Sequence, residues 1–182
     1  MCFNKTSISA ALEANGFKRK IASDEDFNAA VEAIITMRET NRGIIIAGKY
    51  GVGKTCLARA IVKIFGRGNF RSLMMYNQSD VDFLKEDAID YWAGVVYEKG
   101  VFLDDLGAEK PVNNFGVVQE VIGDFIVLYH LYGLGVMIIT TNLSVADIDT
   151  RYGGRVHSRI KDKCIPLLLK GNDKRQWLTT NH

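Results

Sequence analysis

The chain predicts an α/β fold, a parallel sheet with helices on both faces, and three observations carry that prediction. Short runs rich in Val, Ile and Leu alternate with helical periodicities, the pattern of strands buried on both faces. One such run, Gly43-Ile44-Ile45-Ile46-Ala47, leads straight into Gly48-Lys49-Tyr50-Gly51-Val52-Gly53-Lys54-Thr55, an unbroken match to G-x-x-x-x-G-K-[ST]. Another, Val101-Phe102-Leu103, ends in Asp104-Asp105 about fifty residues beyond that loop. A buried strand, a glycine loop and a helix are the context a phosphate-binding loop requires, so the fold is of the P-loop kind.

Composition sets the frame. A chain of 182 residues, 47% of them apolar, is expected to form one globular domain with a sizeable core. A net charge of +2 does not by itself argue for nucleic acid. Cys2, Cys56 and Cys164 are odd in number and lack a C-x-x-C, which indicates neither disulfides nor zinc. The N-terminus leads into no apolar signal region and no run approaches membrane-span length, so the expectation is a cytoplasmic protein with reduced thiols. Pro111 and Pro166 mark no hinge, and no repeat or low-complexity linker divides the chain.

Residues 1–40 read as an N-terminal helical extension and 41–182 as the core of the same domain. Ile8, Ala11 and Leu12 suggest a short helix ending at Gly16, and Lys18-Arg19-Lys20 reads as a solvated turn. Ser23 looks like an N-cap, with Asp24, Glu25 and Asp26 where acids suit the helix dipole. The helix runs along Phe27, Ala30, Val31, Ile34 and Met37 to Asn41-Arg42-Gly43. Phe17 or Ile21 could cover a base, though a core role suits both. After the loop, Cys56 to Phe65 is helical and Gly66 closes it. Ser72–Asn77 reads as the second strand, a helix follows around Val81–Ile89, and Trp92 beside Tyr91 and Gly94 reads as a core anchor. The third strand is Gly100–Asp105, a long helix is expected from about Phe115 to Tyr132, and Val136–Thr141 is the fourth strand. A short helix capped by Ser144 and a further element carrying Arg155 and Arg159 lead to the fifth strand, Cys164–Leu169. Pro166 puts that strand at a sheet edge, where a missing N–H is tolerated.

The chemistry follows from these placements. Gly48, Tyr50, Gly51, Val52, Gly53, Lys54, Thr55 and Cys56 form the expected nucleotide cradle, because glycines let backbone N–H groups turn toward phosphate oxygens at a helix N-terminus. Lys54 should reach the β- and γ-phosphates, and the Thr55 hydroxyl should ligate Mg²⁺. Asp104 is expected to hold Mg²⁺ through its waters, and Asp105 to orient or deprotonate the attacking water. Asn142, just past the fourth strand, would sit near the γ-phosphate; capping the following loop is the alternative. Arg155 and Arg159, four apart, share one helical face and suit either surface ion pairs or an arginine supplied to a neighbouring subunit. His130, His157 and His182 have no metal-like spacing.

With those motifs in place, the chain resembles the AAA+ ATPase module of the DnaC/IstB family, helicase loaders and transposition helper ATPases. The resemblance rests on Phe102-Leu103-Asp104-Asp105-Leu106-Gly107-Ala108-Glu109-Lys110, on Ile139-Thr140-Thr141-Asn142-Leu143 and on Arg155-Val156-His157-Ser158-Arg159-Ile160, and spans roughly residues 40–175. It implies a three-layer sandwich with a five-stranded parallel sheet and no C-terminal lid domain. It also implies ATP and Mg²⁺ as cofactors, Asp104 and Asp105 as Walker B acids, Asn142 as the sensor-1 residue, and Arg159 before Arg155 as the trans-acting finger. Implied partners are further copies of the chain, single-stranded DNA, and a replicative helicase or transposase. Only about forty residues precede the first strand, fewer than the helicase-gripping domain of family loaders. Between Arg151 and Arg175 eight basic residues face two acids, a patch that suits phosphate backbone, a solvated face or a subunit interface. Two other functions fit a P-loop scaffold, a small-molecule or nucleoside kinase and a slow-turnover interaction module. A kinase should show an arginine-rich lid, which is not evident between Asp105 and Gly133.

Overall fold

A parallel sheet of five strands, in the order β2 (Phe70–Met74), β3 (Gly100–Leu106), β6 (Met137–Thr141), β1 (Gly43–Gly48) and β7 (Cys164–Leu169), forms the centre of the computed structural model. The structure describes residues 4–18, 22–82, 84, 99–114, 117–119, 121–132 and 135–171. Cys2, Arg19, Lys20, Ile21, Tyr91, Trp92, Gly94, Phe115, Gly133, Asp173, Lys174, Arg175 and His182 lie outside the described residues.

The N-terminal helices form for local reasons. Helix α1 (Lys5–Ala14) starts at a reciprocal cap between Asn4 and Ser7 and stops where Gly16 turns left-handed. Helix α2 (Asp24–Thr40) is capped by the Ser23 hydroxyl, which accepts from the Asp26 N–H, and ends at left-handed Asn41. Strand β1 (Gly43–Gly48) then feeds the glycine loop and helix α3 (Lys54–Phe65). A 3-10 turn leads into β2 (Phe70–Met74) and the short helix α4 (Gln78–Asp82). The acid-bearing strand is β3 (Gly100–Leu106), followed by an antiparallel pair, β4 (Val112–Asn114) and β5 (Val117–Gln119). Helix α5 (Val121–Tyr132), strand β6 (Met137–Thr141), helix α6 (Val145–Lys163) and strand β7 (Cys164–Leu169) complete the described chain.

Period-two burial sorts the sheet into two cores. Ile44, Ile46, Phe102, Ile138, Leu167 and Leu169 pack with α1, α2 and α3, and Phe17 between α1 and α2, Phe27, Ile34 and Leu57 are fully buried there. Val101, Leu103, Met137 and Ile139 pack on the other face with α5 and α6. The result is a three-layer sandwich. Helices α1 and α2 belong to the same buried cluster as β1 and α3. Among the described residues no helix is long and apolar enough to cross a membrane.

Several boundaries differ from expectation. The second strand begins at Phe70, because Phe70 pairs with Gly100 and Met74 is its last residue opposite β3. The helix expected from Phe115 begins at Val121; the β-branched run Val117-Val118 pairs instead with Val112–Asn114. The described part of the helix placed around Val81–Ile89 is α4, Gln78–Asp82. The two elements expected after Ser144 run on as α6, broken only at Gly153, whose φ of 82° and ψ of 160° are not helical. Strand β7 is an edge strand, with Pro166 opposite Ile45.

Candidate active site

The order of strands brings the candidate residues together. Strand β6 lies between β1 and β3, so the glycine loop after β1, the acids at the end of β3 and Asn142 after β6 leave the sheet at one end.

The loop itself depends on backbone conformations open to glycine. Gly51 and Gly53 have φ of +76° and +99°, where a side chain is strained. Gly53 precedes α3 without a side-chain cap, so the first-turn N–H groups are available to an anion. Val52 is buried in the first core, and Tyr50 is 63% exposed. The Cys56 thiol, pushed up in pKa by burial, donates to the carbonyl of Gly16 at the end of α1.

Lys54 and Asn142 join the loop to the acids. Lys54 is almost wholly buried, and its Nζ donates to the carbonyls of Gly48 and Lys49 at 2.8 Å and to Asn142 Oδ1 at 2.6 Å. The same ammonium lies 5.8 Å from the centre of the Tyr50 ring. Asn142 Nδ2 in turn donates to Asp105 Oδ1 at 2.6 Å. Asp105 is half-buried, and burial raises its carboxyl pKa; Lys54 opposes that rise, the Asp104 charge adds to it, the Asn142 hydrogen bond opposes it and Glu109 adds to it.

Asp104 is 2% exposed and fully engaged. Its Oδ1 accepts from the Thr55 hydroxyl at 2.8 Å and from the Thr140 hydroxyl at 2.7 Å, and Arg59 lies 3.7 Å from Oδ2. Among the described residues no group of three or more His, Cys, Asp and Glu side chains could hold a metal ion. The pairing of Thr55 Oγ1 with Asp104 Oδ1 nonetheless places two hard oxygen donors at one point, which fits Mg²⁺ held by few protein ligands beside phosphate oxygens.

A further buried carboxylate, Glu109, belongs to the Phe102–Lys110 stretch, where the sequence assigns it no role of its own. It accepts from the Gly107 N–H at 2.9 Å and from the Tyr152 hydroxyl, and lies 3.1 Å from the Arg151 guanidinium. Arg151 also donates to the carbonyls of Gly107 and Glu109. The loop after the acids is therefore clasped to α6, and Arg151 belongs to this clasp rather than to a basic surface. Arg59 and Thr140 were likewise missed, since each reads as an ordinary helix or strand residue.

Lys54, Asn142 and Asp105 thus form one hydrogen-bonded chain with the Thr55–Asp104 pair beside it, and Arg155 and Arg159 stand apart from both. Helix α6 buries Ile148, Tyr152, Val156 and Ile160 at every fourth position, and Arg151, Arg155 and Arg159 each lie one residue earlier. Arg155 is exposed. Arg159 is half-buried, 3.8 Å from Asp162, and its Nε is buried with no hydrogen-bond partner among the described residues.

No protein-family model matches the chain, and no curated protein matches it. Solved structures do. The chain is similar to the DnaC helicase loader with a TM-score of 0.60 and 25% identity, over 82% of this chain and 93% of that one. It is similar to AMPPCP-bound DnaA from Aquifex aeolicus with a TM-score of 0.60 and 20% identity, over 85% of this chain and 50% of that one. A replication initiator DnaA bound to AMPPCP and single-stranded DNA gives a TM-score of 0.58 and 18% identity, over 87% of this chain and 51% of that one. The chain thus spans about half the length of each DnaA structure, and at these identities the DnaA likeness is one of fold.

Proposed function

Because the chain carries a DnaC-like AAA+ module, we propose that it binds and hydrolyses MgATP, assembles with its own kind, and acts on a DNA replication or transposition partner. The observation that carries this reading is the chain of contacts from Lys54 through Asn142 to Asp105, beside Thr55 on Asp104. It links the groups needed to hold phosphates, to hold a metal and to activate water.

Lys54 and the N–H groups around Gly51 and Gly53 hold the phosphates. Thr55 and Asp104 hold Mg²⁺, which when bound neutralises phosphate charge. Asp105 orients the attacking water and takes its proton, a task suited by a carboxyl whose proton affinity burial has raised. Asn142 keeps that carboxylate turned toward the phosphates. Arg159, with Arg155 a turn earlier, completes the site of the neighbouring subunit, as arginine fingers do. Single-stranded DNA is the nucleic acid this reading assigns, with phosphate contacts from the remaining basic residues of the C-terminal stretch.

The test is phosphate release by the purified protein across protein concentrations, with and without single-stranded DNA. The rate per subunit should rise with concentration and with DNA, and collapse in Arg159→Ala or Arg155→Ala while ATP binding persists. A flat rate, blind to DNA and to both arginine variants, would overturn the assembling reading in favour of an interaction module or a kinase.

A further inference from the structure

Two consecutive strand residues ordinarily face opposite sides of a sheet, yet Asp104 bonds to Thr55 and Asp105 to Asn142, both beside the glycine loop. The register explains this. Strand β3 pairs regularly with β6 as far as Leu103 opposite Ile139, and the next pair is Leu106 opposite Thr141. Three steps along β3 match two along β6, so Asp104 and Asp105 both oppose Thr140, which is a β-bulge. Burial records the same slip: Val101 and Leu103 pack in the second core and Phe102 in the first. Strict alternation would send Leu106 to the first, but it packs in the second. Asp105 carries the extra residue's distortion as a left-handed φ of 68°, which a residue with a side chain rarely adopts.

Such a bulge leaves backbone groups without their regular ladder partners, and here one side chain takes that role. The Asp105 N–H donates to Thr140 Oγ1 at 2.8 Å, and the same hydroxyl donates to Asp104 Oδ1 at 2.7 Å. A hydroxyl can accept and donate at once, as this position requires, and Thr140 is 1% exposed, so water cannot substitute. We propose that Thr140 is a positioning residue: its hydroxyl holds the bulge that presents both acids to the phosphate loop. The consequence for catalysis rests on the ATPase reading above; the wiring of the bulge does not.

Thr140→Val keeps the β-branch and nearly the same volume while removing both hydrogen bonds, and Thr140→Ser keeps the hydroxyl. If the valine variant does not fold, Thr140→Ala replaces it. Three readouts apply: exchange of the Asp105 amide by NMR without nucleotide, ATP affinity without metal, and hydrolysis as a function of Mg²⁺. In Thr140→Val the amide should exchange at least about tenfold faster, kcat should fall about 10–100-fold, the Mg²⁺ needed for half-maximal rate should rise, and metal-free ATP affinity should stay within about threefold. Thr140→Ser should remain within about threefold of the parent on every count. Unchanged amide exchange or kcat in Thr140→Val, or equal damage in Thr140→Ser, would overturn the proposal. If the parent releases no phosphate from MgATP, the ATPase reading fails, and the Asp105 amide still decides whether Thr140 holds the bulge.

Discussion

Replacing Tyr152 by Phe should destabilise the protein through a single lost hydroxyl. Glu109 is a carboxylate 5% exposed to solvent, and its donors among the described residues are the Tyr152 hydroxyl, the Gly107 N–H and the Arg151 guanidinium. The phenylalanine ring keeps all but the hydroxyl's volume and its stack against Arg151, whose guanidinium carbon lies 5.2 Å from the ring centre. What disappears is one hydrogen bond to a buried charge, worth about 1.5–3 kcal/mol. For a domain of this size that corresponds to a fall in Tm of roughly 3–12 °C. Tyr129 provides the contrast, because its hydroxyl donates to a neutral carbonyl, that of Lys99, at 2.8 Å. Tyr129→Phe should cost only about 0.5–1.5 kcal/mol. Scanning calorimetry of both variants decides the matter. A Tm for Tyr152→Phe equal to that of the parent, or a smaller loss than in Tyr129→Phe, would refute the claim that the Tyr152 hydroxyl clasps Glu109.

Further predictions follow from other buried groups. Asp26 accepts from the N–H groups of Lys170 and Gly171 at 3.0 and 2.9 Å, tying the start of α2 to the end of β7, so Asp26→Ala should cost about 2–4 kcal/mol in a denaturant titration. An unchanged midpoint would show that the tie is not made in solution. His130 is half-buried with its Nδ1 screened from solvent, and burial first, then Arg159 and Lys163, lower its pKa while Asp162 opposes. Its folded pKa lies below the unfolded value, so its contribution is present above the unfolded pKa and lost as pH falls through the folded one. Stability should therefore decline below about pH 6.5, and His130→Gln should flatten that decline; an identical slope in the variant would contradict the shift.

Much of this architecture is legible in the sequence because local chemistry dictates it. The turns at Gly51 and Gly53 need left-handed backbone, Ser23 and Ser144 cap the helices they precede, and Pro166 lies on an edge strand. The apolar run ahead of Asp104-Asp105 places the acids at a strand end for the same reason. What the sequence conceals is set by tertiary pairing. The bulge opposite Thr140 leaves no local signature, since threonine in a strand reads simply as a β-branched residue. The strand pair Val112–Asn114 with Val117–Gln119 was masked by a helical periodicity continuing into α5. Arg151 looked like one charge in a basic run, but its role depends on Glu109, forty-two residues away along the chain.

Mg²⁺-dependent ATP hydrolysis by the purified protein, compared with Lys54→Ala and Asn142→Ala, tests the assigned site most directly. The parent should release phosphate only with Mg²⁺. Lys54→Ala should lose binding or turnover, and Asn142→Ala should bind ATP yet hydrolyse it about 10–100-fold more slowly. A parent without Mg²⁺-dependent turnover, or a Lys54→Ala variant that matches it, would contradict the assignment of this site.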